Sequence, residues 1–163
     1  MIVVADTSVL INLCRVGQGG LFQQLFQEVV IPPEVAAEFA RLAASASRFA
    51  GLKLPAGIKE QSPSRLLAAV RAATGLDSGE AAALSLAVEI HADAVLIDER
   101  RGYEVAIQLG LRTIGILGIL LRAKSAGFLP TVKPVLDALQ RDAGFWLSEV
   151  LRKQVLTMAG ESS

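Results

Sequence analysis

The fold is decided by one stretch near the start of the chain, which reads Ile2-Val3-Val4-Ala5-Asp6-Thr7-Ser8. Its first four residues form a β-branched apolar run, which is typical of a short strand buried on both faces. The three polar residues that follow are good helix N-caps, and Val9, Leu10 and Leu13 then supply an apolar helical face. The stretch therefore predicts a strand that passes directly into a helix, with an aspartate at the junction.

Strands and helices continue to alternate along the chain. Further strands are predicted at 28–31, 94–97 and 112–115, whereas 51–61 holds either a short strand or only a loop. Helices are predicted over 21–27, 33–47, 64–73, 78–90, 100–109, 116–126, 131–142 and 147–158. This pattern predicts an α/β domain of three layers, with a central parallel sheet of about four to five strands flanked by helices. We expect a single domain over 1–163 that includes the helical segments of 131–160.

The composition limits the classes of function. Lysine and arginine together number 16, as do aspartate and glutamate, so the chain has no global basic excess to attract nucleic acid. Aromatic residues make up only 5% of the chain, which argues against a base-stacking platform. No apolar run approaches the length of a membrane span, and we expect that no signal peptide precedes Asp6. We expect a cytoplasmic protein without membrane contact, in which the lone Cys14 is a small core residue.

Two aspartates directly follow predicted strands. Asp6 follows the first strand and Asp98 follows the strand at 94–97, so a parallel sheet would bring both to its carboxyl-end edge. Open α/β sheets bind their ligands at that edge. The structural alternative is that each aspartate only caps the helix that follows it.

Two further carboxylates are candidates on helices. The helix at 78–90 is apolar on almost every side, so Glu80 lies at the margin of a core, where an ionised carboxylate is costly unless it is paired. Asp77 lies three residues earlier, and a capping box formed by these two acids is the alternative explanation. On the helix that follows Pro32, Glu34 and Glu38 share a face, and their spacing alone does not decide between them.

Four segments together resemble the PIN-domain family, and specifically its VapC-like branch found in prokaryotic toxin–antitoxin pairs. Their order and spacing match the family along nearly the whole chain. The segments are Val4-Ala5-Asp6-Thr7-Ser8-Val9-Leu10-Ile11, Ile31-Pro32-Pro33-Glu34-Val35-Ala36-Ala37-Glu38, Leu76-Asp77-Ser78-Gly79-Glu80-Ala81 and Val95-Leu96-Ile97-Asp98-Glu99-Arg100-Arg101.

The resemblance implies a Mg²⁺- or Mn²⁺-dependent endoribonuclease, the toxin of a toxin–antitoxin pair. It implies that Asp6, Glu38, Glu80 and Asp98 form the acidic catalytic pocket, with Asp6, Glu80 and Asp98 as metal ligands. It favours Glu38 over Glu34, and it gives Asp77 and Glu99 accessory roles. This chain departs from many relatives in having glutamate rather than aspartate at position 80.

The residue types support the same chemistry independently of the family. Carboxylates gathered in one cleft repel each other and need a compensating cation. Hard oxygen ligands without a cysteine or histidine cluster favour Mg²⁺ or Mn²⁺ over zinc. The only histidine, His91, ends an apolar helix and is interpreted as its C-terminal cap. Haloacid-dehalogenase chemistry would need an aspartate where the chain has Ser8, and the glycines of 17–20 lie in the wrong context for a phosphate loop.

Partners are predicted from the surface residues. Arg100 and Arg101 follow Asp98 at the start of a helix, so at least one is expected to hold an RNA phosphate. The apolar residues of 131–159 are expected to leave an exposed patch that forms a C2 homodimer. The alternative is that the two helices of this tail only complete the core of a monomer. The resemblance also implies a possible antitoxin protein that binds near the active site. Two rival functions are a catalytically weak PIN fold acting as a protein-interaction module and a small-molecule phosphohydrolase.

Overall fold

The computed structural model describes residues 1–162, and its sheet has five strands. They are β1 (Ile2–Ala5), β2 (Glu28–Ile31), β3 (Ile58–Glu60), β4 (Ala94–Leu96) and β5 (Thr113–Ile114). The order across the sheet is β3-β2-β1-β4-β5, and every neighbouring pair is parallel. Strand β1 therefore occupies the centre, with its end at Ala5 opposite Leu96 of β4.

Nine helices connect and cover these strands in the part of the chain that the structure describes. They are α1 (Thr7–Arg15), α2 (Gly20–Leu25), α3 (Pro33–Ala44), α4 (Ala68–Ala72), α5 (Ser78–Glu89), α6 (Arg100–Gln108), α7 (Ile116–Ser125), α8 (Lys133–Asp142) and α9 (Glu149–Met158). Across residues 1–162, no helix combines the length and the hydropathy needed to cross a lipid bilayer.

Successive side chains of β1 point to opposite faces of the sheet, and each face has its own core. Val3 and Ala5 belong to a cluster formed with residues of α1, α2, α3, α7, α8 and α9. Val4 belongs to a second cluster, formed with α4, α5 and α6. Because helices cover both faces, the predicted three-layer arrangement around a parallel sheet is confirmed.

Most of the predicted elements are present with bounds that differ by one to three residues, and two segments differ in kind or extent. The segment 51–61, for which the sequence predicts either a short strand or a loop, contains the edge strand β3. Only Ile58 in this strand is apolar, so its sequence signal is weak. The helix predicted over 64–73 is confined to Ala68–Ala72. The preceding residues 64–67, here called the strap, lie outside the helix, because the amides of Ser64 and Leu67 donate to side chains of α5 instead of to a helical ladder.

The tail from residue 131 onward contributes more to the core than its sequence suggested. Of the twelve large apolar residues there, seven are buried: Val132, Val135, Leu136, Leu139, Leu147, Val155 and Leu156. Trp146, Val150, Leu151 and Met158 are exposed. The alternative that α8 and α9 complete the core therefore accounts for most of the tail, and the apolar patch is smaller than expected. Cys14 is half-buried against the same core.

If α9 is part of the core, deleting one of its buried side chains will destabilise the whole protein. We expect Leu156→Ala to lower the free energy of unfolding by about 2–4 kcal/mol, because a cavity remains in a packed interior. Met158→Ala on the same helix, where the side chain is 74% exposed, should change it by no more than about 0.5 kcal/mol. Urea unfolding of both variants measures the difference, and equal midpoints would contradict the core assignment of α9.

Candidate active site

Asp6 is carried into the interior by the strand that precedes it. Its amide donates to the carbonyl of Leu96 at 3.0 Å, which continues the pairing of β1 with β4 one residue beyond the strand. Asp6 occupies the N-cap position of α1, yet its side chain makes no capping hydrogen bond. The residue is only 3% exposed. The simple capping explanation of this aspartate therefore fails, and a buried carboxylate remains to be explained.

Glu38 reaches the same region from helix α3. Its Oε2 accepts a hydrogen bond of 3.0 Å from the Thr7 hydroxyl, which joins α3 to the first residue of α1. Glu34, one turn earlier, is exposed in the first turn of the helix. The charge of Glu38 acts on both Asp6 and Glu80. The geometry thus favours Glu38 over Glu34 as the site residue of α3.

Asp77 and Glu80 form a capping box at the start of α5. Asp77 Oδ1 accepts from the Glu80 amide at 2.7 Å, and Glu80 Oε2 accepts from the Asp77 amide at 3.2 Å. The structural explanation thus holds for both acids, although Glu80 is only 5% exposed. Gly79 lets α3 approach closely, because a Cβ there would lie 3.2 Å from Glu38 Oε2. A Cβ on Gly102 of α6 would lie 3.8 Å from Glu80 Cδ.

Asp98 caps a helix, but not the one that directly follows it. Its two carboxylate oxygens each accept from the Ile116 amide, at 3.2 Å, at the N-terminus of α7. Gly115 makes this approach possible, since a Cβ there would collide with Asp98 Oδ1 at 2.4 Å. The helix that follows Asp98 in sequence has Glu99 as its N-cap, without a side-chain capping bond.

Burial and crowding raise the pKa of Asp6 to about 7, against an ordinary value of 3.8. Desolvation is the largest cause, and the amide of Thr7 opposes it. The negative charges of Glu80, Asp77 and Glu38 raise the pKa further. At neutral pH this carboxylate is therefore divided between its protonated and its ionised form.

The pKa of Glu80 is also raised, first by burial and then by the charges of Asp77, Glu99 and Glu38, while the amide of Asp77 opposes the rise. Burial raises the pKa of Asp98 to about 6, partly offset by the first amide of α7. Because Asp98 keeps substantial solvent exposure, we expect water to moderate its shift. The raised pKa of the buried Asp6 therefore has the largest influence on the charge of the site.

All four predicted acids lie at the carboxyl-end edge of the sheet, but their side chains do not surround one point. Within residues 1–162 no three acidic, histidine or cysteine side chains are arranged to hold a metal ion. The reason is that α5 and α7 hold Glu80 and Asp98 as caps. The donor chemistry, purely hard oxygen, does fit Mg²⁺ or Mn²⁺.

The predicted arginines are engaged with the protein itself. Arg100 Nε lies 3.3 Å and Arg101 Nη1 3.1 Å from carboxylate oxygens of Glu104. Arg101 Nε also donates to the carbonyl of Thr74 at 2.6 Å. His91 follows the end of α5 with a φ of 52°, a left-handed conformation that agrees with its predicted place at the helix C-terminus.

Two residues of the site were not singled out from the sequence. Thr7 positions Glu38, and Gly115 makes room for Asp98. The polar run after β1 contains Thr7, but that run signals helix capping equally well. The pairing of Asp98 with the start of α7 spans 18 positions, so only the folded chain shows it.

The raised pKa of Asp6 predicts how stability depends on pH. The folded state holds this proton more tightly than the unfolded chain, where the pKa is near 3.8. Its contribution to stability is therefore full below about pH 4 and is lost as pH rises through about 7. Without divalent metal at about pH 8, we expect Asp6→Asn to raise the free energy of unfolding by on the order of 1–3 kcal/mol.

Chemical denaturation from about pH 4 to pH 8 in the presence of a chelator tests this. The advantage of Asp6→Asn should shrink toward the acidic end of the series. Glu149→Gln is the matched control, because Glu149 is an exposed acid remote from the cluster. A variant that is less stable than the parent at every pH would refute the electrostatic argument.

Comparisons with known proteins agree with this architecture. The chain resembles the solved structure of a PilT N-terminus domain protein from the hyperthermophilic archaeon Sulfolobus solfataricus P2, with a TM-score of 0.52 and 17% sequence identity over 73% of this chain and 90% of that chain. At that identity the likeness concerns the fold alone. No curated protein matches the chain. A family model described as a PIN domain (DUF3368) matches residues 2–161, so the chain belongs to the PIN-domain family.

Proposed function

We propose that this protein is a metal-dependent endoribonuclease that hydrolyses phosphodiester bonds in RNA. The observation that carries the proposal is Asp6, a buried carboxylate without a capping role, placed beside Glu38, Asp77 and Glu80. Such an arrangement is costly for folding and is typical of sites where charge is used for chemistry. PIN domains are in general nucleases, which supports a hydrolase at the coarse level.

Asp6, Glu80 and Asp98 would hold one or two divalent ions, Mg²⁺ or Mn²⁺. Bound there, the metal would supply a polarised phosphodiester and an attacking water of lowered pKa. Glu80 and Asp98 would have to give up part of their capping interactions to do so. The carboxylates of Glu80 and Asp98 each lie beside a helix N-terminus. The positive end of the helix dipole stabilises the carboxylate both as a cap and as a metal ligand.

The chain's own residues prepare the site in three ways. The Thr7 hydroxyl fixes one oxygen of Glu38 and leaves the other to orient water. Asp6, whose pKa in the metal-free site is about 7, holds a proton there near neutral pH and would release it when it binds the cation. Asp77 caps α5, while Asp77 and Glu99 each raise the pKa of Glu80, which fits the accessory roles that we propose for them.

We further propose that the protein is the toxin of a VapC-like toxin–antitoxin pair, acting on RNA in the cytoplasm. The four acidic motifs and their spacing support this finer assignment. An antitoxin encoded in the neighbouring reading frame is the partner that this proposal requires. Arg100 and Arg101 stay candidates for phosphate contact, although Glu104 offsets their charge.

A second candidate function is a PIN fold that serves as a protein-interaction module with little catalysis. One observation favours it, because Glu80 and Asp98 are already engaged as helix caps. A metal titration separates the two functions. The ribonuclease should be stabilised by millimolar Mn²⁺ in a way that Asp6→Asn abolishes, since a ligand that binds only the native state stabilises it.

If Asp6 and Asp98 act as proposed, their amide variants will fold and lose activity. We expect Asp6→Asn and Asp98→Asn each to reduce RNA cleavage under Mn²⁺ by about two orders of magnitude or more, because the charge that holds the cation is removed at constant size. The measurement is the rate at which a labelled RNA is cut, with circular dichroism as the check of folding.

Glu149→Gln is again the control and should cleave at the parent rate. A panel of small phosphate esters tests the phosphohydrolase alternative with the same preparations. Cleavage by Asp6→Asn as fast as by the parent would remove the catalytic assignment.

Association is proposed through the exposed apolar residues of the tail. Trp146 is 83% and Val150 68% exposed, and Leu151 lies beside Val150 on α9. A second copy of the chain brings the same apolar residues, so an isologous C2 contact would cover both sets at once. We expect a dimer in sedimentation analysis at micromolar concentration and a monomer for Trp146→Ser with Val150→Ser. A monomeric parent would contradict the dimer.

A further inference from the structure

We propose that Arg65 and Arg71 bind the phosphates of the RNA substrate and direct the strand to the acidic site. The inference rests on the proposed ribonuclease function and deepens it, because it names the surface that recognises the substrate. It moves the main phosphate contact from Arg100 and Arg101 to the segment that crosses α5.

The strap that carries Arg65 is fixed to α5 by two hydrogen bonds. The Ser64 amide donates to Glu89 Oε1 at 2.8 Å, and the Leu67 amide donates to the Ser85 hydroxyl at 3.1 Å. Because both anchors are on α5, the strap keeps a defined position relative to the helix that begins at the acids. Helix α4 follows it directly and carries Arg71 in its last turn.

Arg65 lines two adjoining hollows, one of which extends from the strap to the start of α5. One, of about 260 Å³, is lined by Arg65 together with Ser78 and Ala82 of α5 and Glu34 of α3. The other, of about 300 Å³, is lined by Arg65, Leu66, Leu67, Ala68 and Arg71. Ser78 directly follows Asp77, so the first hollow opens beside the capping box that holds Glu80.

The charge of this surface fits an anion. The segment from 61 to 76 contains Arg65 and Arg71 and no acidic residue. Both arginines are exposed, and neither takes part in an ion pair within residues 1–162. Arg100 and Arg101, by contrast, share Glu104. Two acids oppose this charge: Glu34, which lines the first hollow, and Glu89, which accepts from the Ser64 amide beside Arg65.

Phosphodiester groups of RNA are the anions that suit this surface. A guanidinium presents several fixed donors to phosphate oxygens, and exposed arginines retain them for a ligand. The acids of the site would themselves repel a polyanion, and the neutral net charge of the chain gives no general attraction. Local cations on the segment anchored to α5 therefore provide the attraction that the protein as a whole lacks.

The test measures RNA binding separately from cleavage. A labelled short single-stranded RNA is titrated by fluorescence anisotropy against full-length protein in the Asp6→Asn background, over a series of salt concentrations. We expect Arg65→Ala with Arg71→Ala to weaken binding by roughly tenfold per arginine. The salt slope should fall by about 1.4, since each phosphate contact on a single strand contributes about 0.7. Glu34→Gln should strengthen binding.

Two controls give the result its meaning. Arg122→Ala removes an exposed arginine from the last turn of α7, one that forms no ion pair with any residue of 1–162, and should leave the affinity unchanged. The double variant should keep the parental melting temperature, because both side chains are exposed. In the background with Asp6 intact, it should raise KM for RNA more than it lowers kcat.

Each outcome decides the proposal. A parent that cuts RNA while the double variant binds RNA as tightly as the parent overturns the arginine assignment and leaves the ribonuclease standing. A parent that neither binds nor cuts RNA refutes both. If polyglutamate competes for Arg65 and Arg71 more strongly than RNA does, the surface recognises an acidic protein segment and the RNA assignment is wrong.

Discussion

Strand β1 is covered by helices on both faces and flanked by paired strands on both edges, and this confinement determines where the polar groups lie. A strand in that position has little solvent-exposed surface. The chain can present charge only where the strand ends, and Asp6 is the first residue beyond it. The neighbouring strand β4 ends at the same edge and contributes Asp98 two residues later.

Helix packing then brings further acidic residues to the edge of the sheet that already carries Asp6 and Asp98. Helix α3 packs against α5, and Gly79 allows Glu38 to approach the start of that helix. Desolvation and mutual repulsion raise the pKa of Asp6 and of Glu80. The site therefore favours a bound proton or a bound cation over free negative charge.

Much of this organisation was predictable from the sequence. The periodicity of 2–5 and 28–31 specified two buried strands with their observed bounds, and the all-apolar pattern after Glu80 specified a buried helix. These signals are local, because each depends on residues within a few positions of one another.

What could not be predicted depends on contacts between distant parts of the chain. The strap before α4 has a helical pattern but uses its amides to bind α5. Asp98 finds its hydrogen-bond donor at Ile116, at the start of a helix reached only after another helix and strand have intervened. Periodicity also could not show that α8 and α9 bury most of their apolar residues, since an apolar helical face looks the same in a core and at an interface.

The two capping interactions of Glu80 and Asp98 have a consequence for the order of assembly. Zinc fingers and similar small metalloproteins are unfolded until the ion arrives, because nothing else neutralises their ligands. Here the amides at the starts of α5 and α7 already satisfy two of the acids, so the polypeptide can complete its fold without an ion. If the protein uses a divalent cation as we propose, folding and metal binding are separate events, and a cell short of divalent cations would hold an intact protein in reserve rather than a denatured one.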